Sequence, residues 1–194
     1  MNIEDCRSGG AIVWFTGLSA SGKTILCEAV ARLLTARGLP TVVLDGDILR
    51  QTISRGLGFS REDRNENVRR IGALAVDHAR AGAVVLVAAI SPYREIRDRL
   101  RSESPVPFFE VFVDAPLQVC EERDPKGLYR QARAGAIAGF TGIDAPYEAP
   151  ELPAVHCHTE LETIGESCAK IIPLIERWLE GKPGASAPVG DTEG

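Results

Sequence analysis

The residues with the most specific chemistry lie near the N-terminus. Gly17-Leu18-Ser19-Ala20-Ser21-Gly22-Lys23-Thr24 satisfies the pattern G-x-x-x-x-G-K-[ST]. In such a loop the glycines let the backbone turn, so that successive N–H groups converge on phosphate oxygens. The helix that follows adds the positive end of its dipole. Lys23 is then expected to reach the β- and γ-phosphates of a nucleotide, and the Thr24 hydroxyl to bind Mg²⁺. By itself the loop leaves kinases, GTPases and motor-type ATPases open. A guanine-specifying N-K-x-D is absent from the sequence, and the most apolar segment ends in Ala89-Ile90 rather than in an acidic Walker B pair. A kinase for a small substrate remains.

A second group points to the acceptor. Asp45-Gly46-Asp47 follows a short apolar run, at the carboxyl end of an expected strand, where open α/β sheets bind ligands. Of two carboxylates two residues apart, one can orient metal-bound water while the other takes a proton from an acceptor hydroxyl. The simpler role is an Asx turn capping the next helix, which Asp47 could also perform. Further on, Arg64, Asn67 and a position at Arg70–Ile71 recur at helical spacing and share a face. Arginine suits oxyanions, asparagine suits a base edge or a hydroxyl, and Phe59 just before them could stack on a purine. Taken alone, the same stretch reads more often as a solvated charged face.

These residues need a scaffold, and the hydrophobic pattern supplies one. Ala11–Thr16, Thr41–Leu44, Ala83–Ile90, Phe108–Val113 and a short segment near Val155 read as strands. Helices are expected from Gly22 to about Ala36, from Ser60 (a capping residue with Asp63 three positions on) to about Arg80, and from Pro92 to about Arg101. A short helix from Pro116 and a last one over Leu161–Leu179, broken or kinked at Pro173, complete the set. Strands alternating with helices imply a mainly parallel sheet covered on both faces, the three-layer α/β fold of P-loop NTPases. The stretch 124–150 carries Lys126, Arg130 and Arg133 among glycines and reads as a mobile lid over the site. Residues 1–180 are expected to form one kinase domain, and the Gly/Pro/Ser-rich 181–194 a disordered tail.

Composition narrows the partners. A net charge of −5 over 194 residues argues against a general nucleic-acid binder. No apolar run reaches the roughly 20 residues that span a bilayer, and Met1–Gly10 is polar, so a cytoplasmic location is the expectation. The five cysteines (Cys6, Cys27, Cys120, Cys157, Cys168) are scattered and read as reduced packing residues, with Cys6 outside the expected core. In His156-Cys157-His158, strand neighbours face opposite ways, so the three are not expected to ligate one ion.

Six blocks together resemble the adenylylsulfate kinase family: Gly17–Thr24, Leu44–Asp47, Phe59–Gly72, Ile90–Arg94, Asp124–Tyr129 and Gly139–Glu148, in the family's order and spacing over roughly residues 10–180. The resemblance implies transfer of the ATP γ-phosphate to the 3′-hydroxyl of adenosine 5′-phosphosulfate, with Mg²⁺, as a step of sulfate assimilation. It implies further that Asp47 is the proton acceptor or orienter, that Asp45 helps organise Mg²⁺, and that Phe59 and Phe140 sandwich the substrate adenine. Arg64 and Asn67 would hold the phosphosulfate and ribose region, backbone groups of Ile90 and Ser91 would read the adenine edge, and Lys126 would close over the phosphates. The serine matching Ser91 is a phosphoserine intermediate in descriptions of the family, although in-line transfer on a P-loop needs no covalent relay. A homodimer and a functional association with ATP sulfurylase are also implied. Ile48, where the family usually has a polar residue, and Gln51-Thr52-Ile53-Ser54 depart from the pattern.

Overall fold

The structure is a computed structural model and describes residues 9–181. Five strands, β1 (Ala11–Thr16), β2 (Thr41–Asp45), β3 (Val84–Ala88), β4 (Phe108–Asp114) and β5 (Val155–His158), form one all-parallel sheet in the order β2-β3-β1-β4-β5. In the centre β1 sets Phe15 beside Ala88 of β3 and Val111 of β4, so the ends of β1 and β3 and the loops beyond them open at one edge. Every residue of β1 and β3 is buried, as expected of strands covered on both faces.

Alternating side chains feed two cores. Val13, Phe15, Leu86, Val111 and Val113 pack against α1 (Lys23–Ala36) and α7 (Ile164–Glu180). Ile12, Trp14, Val85 and Val87 point the other way, against α3 (Arg61–Arg80) and α4 (Arg94–Glu103). A smaller cluster of Ala115, Cys120 and Tyr129, with Leu18, Leu117 and Phe140 against it, joins the phosphate loop to α5 (Leu117–Arg123) and α6 (Leu128–Arg133). Three layers result, the arrangement read from the sequence.

The strands fall within a residue or two of their expected bounds, and some helix ends do not. The third long helix begins at Arg94 rather than at Pro92. Its first N–H is taken by the Glu148 carboxylate at 2.7 Å, so a residue from far along the chain supplies the cap. The last helix starts at Ile164, after Thr163 and Glu166 close a reciprocal capping box, and it runs unbroken through Pro173. Proline there removes only the bond to the Ala169 carbonyl, and the apolar face of Cys168, Ile171, Ile172 and Ile175 keeps both turns on the sheet. The helix at the aspartates, α2, is short (Gly46–Arg50), and α6 inside the basic stretch went unread. Cys27, Cys120, Cys157 and Cys168 are buried free thiols, while Cys6 and the tail 182–194 lie outside the described residues. Burial pushes the Cys27 thiol up to about 12 and the Cys157 thiol to about 11.

Candidate active site

The loop between β1 and α1 is held by its main chain. A Cβ on Gly17 would lie 2.2 Å from the Val113 carbonyl oxygen and 2.7 Å from Ser21 Oγ, so only glycine leaves the loop where it stands. Ala20 and Gly22 take positive φ values of 58° and 99°, and such reversals turn successive peptide N–H groups to one side. From outside, Thr159 Oγ1 donates to the Ser21 carbonyl at 2.8 Å, and Arg123 grips Thr159 through its carbonyl at 2.7 Å. Lys23, at the start of α1, is buried and donates to the Leu18 carbonyl at 2.6 Å. Burial holds its ammonium down to about 8, against the opposing pull of Asp47.

Thr24 points its hydroxyl at Asp45 Oδ2, 2.8 Å away, across from the end of β2. The other carboxylate oxygen of Asp45 accepts from the N–H groups of Asp47 (2.8 Å) and Ile48 (3.3 Å), so Asp45 rather than Asp47 caps α2. Gly46 makes this turn possible, because a Cβ there would come within 3.1 Å of the Ala88 carbonyl and 3.2 Å of Ala89 Cβ. The Asp47 side chain is thereby freed from capping. It is 64% exposed and accepts a hydrogen bond from Lys126 Nζ, which reaches across from the segment after α5. That bond raises the Lys126 ammonium above its usual range. Thr24 and Asp45 offer hard oxygen ligands of the kind a divalent cation takes when it keeps most of its waters.

Phosphate loop and aspartates line one side of a cavity of about 900 Å³; Phe59, Arg64, Asn67, Ile90, Ser91 and Phe140 line the rest. Phe59 is 60% exposed, with the Arg50 guanidinium 4.5 Å over its ring. Phe140 is seated edge-on against Tyr129, 4.9 Å between centroids. Arg64 is buried, and its fork is largely spent on the protein: Nε donates to the Phe59 carbonyl, Nη1 to Thr141 Oγ1 and Nη2 to the Gly139 carbonyl. It therefore ties the two aromatic segments to each other. Asn67, one turn on, is also buried, and its Oδ1 has no hydrogen-bond partner among the described residues. The shared face of Arg64 and Asn67 is thus an inward one, completed by Val68 and Ile71, while Arg70 turns to Glu66 and the Ile53 carbonyl.

Beyond β3 the chain is pinned at several points. Thr16 Oγ1 donates to the Ile90 carbonyl at 2.7 Å. Ser91 has φ 47°, is 2% exposed, and its Oγ accepts from Trp14 Nε1 at 2.9 Å. Its carbonyl accepts from Arg97 Nη1 at 2.6 Å, and Arg97 in turn pairs with Glu110 at 2.7 Å and donates to the Glu148 carbonyl. Arg97 and Glu110 are both buried, and through the Ser91 carbonyl this pair supports a residue that lines the cavity.

Residues 9–158 match the family described as adenylylsulphate kinase. An adenylyl-sulfate kinase of Microcystis aeruginosa is 57% identical over 165 residues, covering 85% of this chain and 91% of that protein. One from a Synechococcus species is 60% identical over 157 residues, 81% of this chain and 89% of the relative. Among solved structures, the APS kinase of Mycobacterium tuberculosis in complex with AMPPNP and APS superposes with a TM-score of 0.83 at 47% identity, over 87% of this chain and 98% of that one. The chain belongs to the adenylylsulfate kinase family.

For an adenylylsulfate kinase, three groups around the cavity escaped the sequence. Arg123 and Thr159 stand behind the phosphate loop, one from the end of α5 and one from the segment after β5, and no sequence pattern links them. Arg97 was one arginine among four on a charged helix, and only Glu110 gave a signal, as a lone carboxylate in the run Phe-Phe-Glu-Val-Phe. Arg50 carries Phe59 and donates to the Gly58 carbonyl at 3.0 Å. Of the departures from the family pattern, Ile48 is exposed at the cavity wall, and Ile53 serves through its carbonyl only. No helix among the described residues is long and apolar enough to cross a membrane.

Proposed function

We propose that the chain transfers the γ-phosphoryl group of ATP to the 3′-hydroxyl of adenosine 5′-phosphosulfate, forming 3′-phosphoadenosine 5′-phosphosulfate. The observation that carries this reading is the sharing of one cavity by a phosphate loop, an uncapped carboxylate, two aromatic rings and a buried amide oxygen without a partner. A buried acceptor left unpaired costs about 1–3 kcal/mol, and a ribose hydroxyl or an adenine amino group entering the cavity would satisfy Asn67. Phe59 and Phe140 offer π-faces to the adenine.

Chemistry on this site is positioning and charge stabilisation. Main-chain N–H groups of 17–24 and Lys23 hold the phosphates, and Asp47 takes the proton of the attacking 3′-hydroxyl as its oxygen bonds the γ-phosphorus. The bond to the β-phosphate oxygen breaks with its electron pair, and ADP leaves. Lys126, now paired with Asp47, is placed to swing onto the transferred group as Asp47 takes up its proton. We assign Mg²⁺ as the cation, since it is content with one or two oxygen ligands, here the Thr24 hydroxyl and Asp45 through water. When bound, it neutralises charge on the β- and γ-phosphates.

We assign Ser91 to positioning rather than to a covalent intermediate, because its hydroxyl is buried and held by Trp14. Ser91→Ala should keep most turnover; its total loss would count for the covalent role. The segment 124–150, fastened by Lys126 to Asp47 and by Gly139 and Thr141 to Arg64, is our lid. Its amide hydrogen exchange should slow when ADP and substrate bind. Family membership also supports a homodimer working in the cytoplasm in functional association with ATP sulfurylase, and sedimentation of the purified protein reads the first of these. The activity itself is tested by coupled ADP release with Mg-ATP and one acceptor at a time. Turnover confined to adenosine 5′-phosphosulfate is expected, and turnover with a sugar or shikimate in its place would overturn the reading.

A further inference from the structure

Outside the cavity, one cluster of potential metal ligands gathers on the sheet edge. His156 and His158 are two residues apart on β5 and share a face, while Cys157 between them turns into the core. That alternation rules out a His-Cys-His site, as the sequence indicates, but it also sets both imidazoles beside β4. There the register pairs Phe112 with His156 and Asp114 with His158. Asp114 Oδ2 lies 3.0 Å from His156 Nε2 and 3.9 Å from His158 Nδ1, and one ligand atom from each of the three residues falls within 4.8 Å of the others. All three side chains are between 36% and 41% exposed, which leaves room for water in a remaining position.

We propose that Asp114, His156 and His158 bind a divalent transition-metal ion of the zinc or cobalt type. Two neutral imidazoles and one carboxylate are a common three-ligand set for such ions, with solvent completing the shell. In a tetrahedral site with bonds of about 2.0–2.1 Å, neighbouring ligand atoms stand roughly 3.3 Å apart. The ligand atoms here lie within 4.8 Å of one another, so binding would draw these partly exposed side chains together.

The surroundings hold the ligands in place. His156 stacks on Phe112 at 4.7 Å between centroids. The His158 N–H donates to Glu162 at 2.9 Å, and Lys170 donates to the His156 carbonyl, so the strand is fixed from the α7 side. A plain Asp114–His156 hydrogen bond would explain one histidine only. It leaves the second ring, 4.0 Å from the first, with its Nδ1 3.9 Å from the same carboxylate oxygen and outside hydrogen-bond distance of it. None of the three residues lines the cavity that Thr24 and Asp45 face, and imidazole ligands favour zinc-like ions over Mg²⁺. It also adjoins the brace of the phosphate loop, since the Thr159 N–H donates to the Asp114 carbonyl at 2.9 Å.

The test is a Co²⁺ titration of the full chain in excess Mg²⁺, followed by its visible ligand-field absorption and repeated with Zn²⁺ as competitor. One equivalent per chain is expected, displaced by Zn²⁺, with affinity falling at least about tenfold in each of Asp114→Asn and His158→Gln. Both variants keep side-chain size, and Asp114→Asn leaves the main-chain bond to Thr159 in place. As a second reading, Zn²⁺ should raise the thermal midpoint of the parent chain by a few degrees and leave both variants unmoved. Absence of a saturable cobalt spectrum, or one that survives undiminished in either variant, would overturn the site.

Discussion

On the nucleotide side, the loop 17–24 is fixed by the main chain: a glycine wedged against β4, two positive-φ residues, and carbonyls held by Thr159 and Arg123. On the acceptor side, Asp47, Lys126 and Phe59 are each more than half exposed and are held by side-chain contacts to one another or to arginines. The first arrangement suits a group common to every nucleotide, whose oxygens must meet a fixed set of N–H donors. The second suits a step in which a proton, a lysine and a lid must change partners. The difference predicts that damage to the loop costs stability and binding together, while damage to the acceptor side costs turnover or substrate affinity and leaves the fold intact.

Gly17→Ala should show the largest effect. Its Cβ meets main-chain oxygen on β4, so the loop must shift. A loss of about 1–3 kcal/mol in stability is expected, with activity down by at least about a hundredfold; chemical denaturation and ATP titration read both. Asp47→Asn should lower kcat by about 10²–10⁴-fold while ATP affinity and unfolding midpoint stay near the parent's. An equal loss of ATP affinity would merge the two sides and break the comparison.

Arg97→Ala removes the closer partner of buried Glu110, leaves it Arg101 at 3.5 Å, and should destabilise by about 1–3 kcal/mol. Arg99→Ala, which removes an exposed pair with Glu103, should cost no more than about 0.5 kcal/mol. Phe59→Ala should raise the KM for the adenylyl acceptor about tenfold, the equivalent of losing one stacked base at about 1–3 kcal/mol, with ATP binding unchanged.

The smallest effect is one of pH. Lys23 titrates at about 8 in the free protein because burial disfavours its charge, and phosphates beside it would raise that value. Above pH 8 the protein must then take up a proton to bind ATP, so ATP affinity should be flat below about 8 and fall as pH rises past it. A Lys23→Met variant should lose that dependence along with most of its affinity.

Much of the scaffold was legible because burial on both faces leaves a direct trace in sequence. Ala11–Phe15 and Val84–Ala88 are unbroken apolar runs, and a buried parallel strand needs nothing else. What escaped depends on contacts between distant segments. Arg94 begins its helix where Glu148 meets it, and Arg97 differs from Arg99 in facing Glu110 and the Ser91 and Glu148 carbonyls, all distant in sequence or on other elements. The roles within the site divide the same way. The phosphate loop and Asp45-Gly46-Asp47 stand in sequence as motifs, but that Asp45 rather than Asp47 caps α2 shows only in the N–H groups of Asp47 and Ile48 donating to its carboxylate. For Arg64, helical spacing gave the face, while the spending of its fork on Phe59, Gly139 and Thr141 depends on a segment some 75 residues further along the chain.

The central claim is that the loop aims the γ-phosphate past Asp47 at a ribose 3′-hydroxyl. Its most direct test is the position of the new phosphate after reaction of the purified chain with Mg-ATP and adenosine 5′-phosphosulfate. The product should carry it on the 3′-oxygen, seen by phosphorus NMR and by its removal with a 3′-nucleotidase, and a 3′-deoxy acceptor should give none. Phosphate found on any other atom, or turnover of the 3′-deoxy compound, would contradict the account.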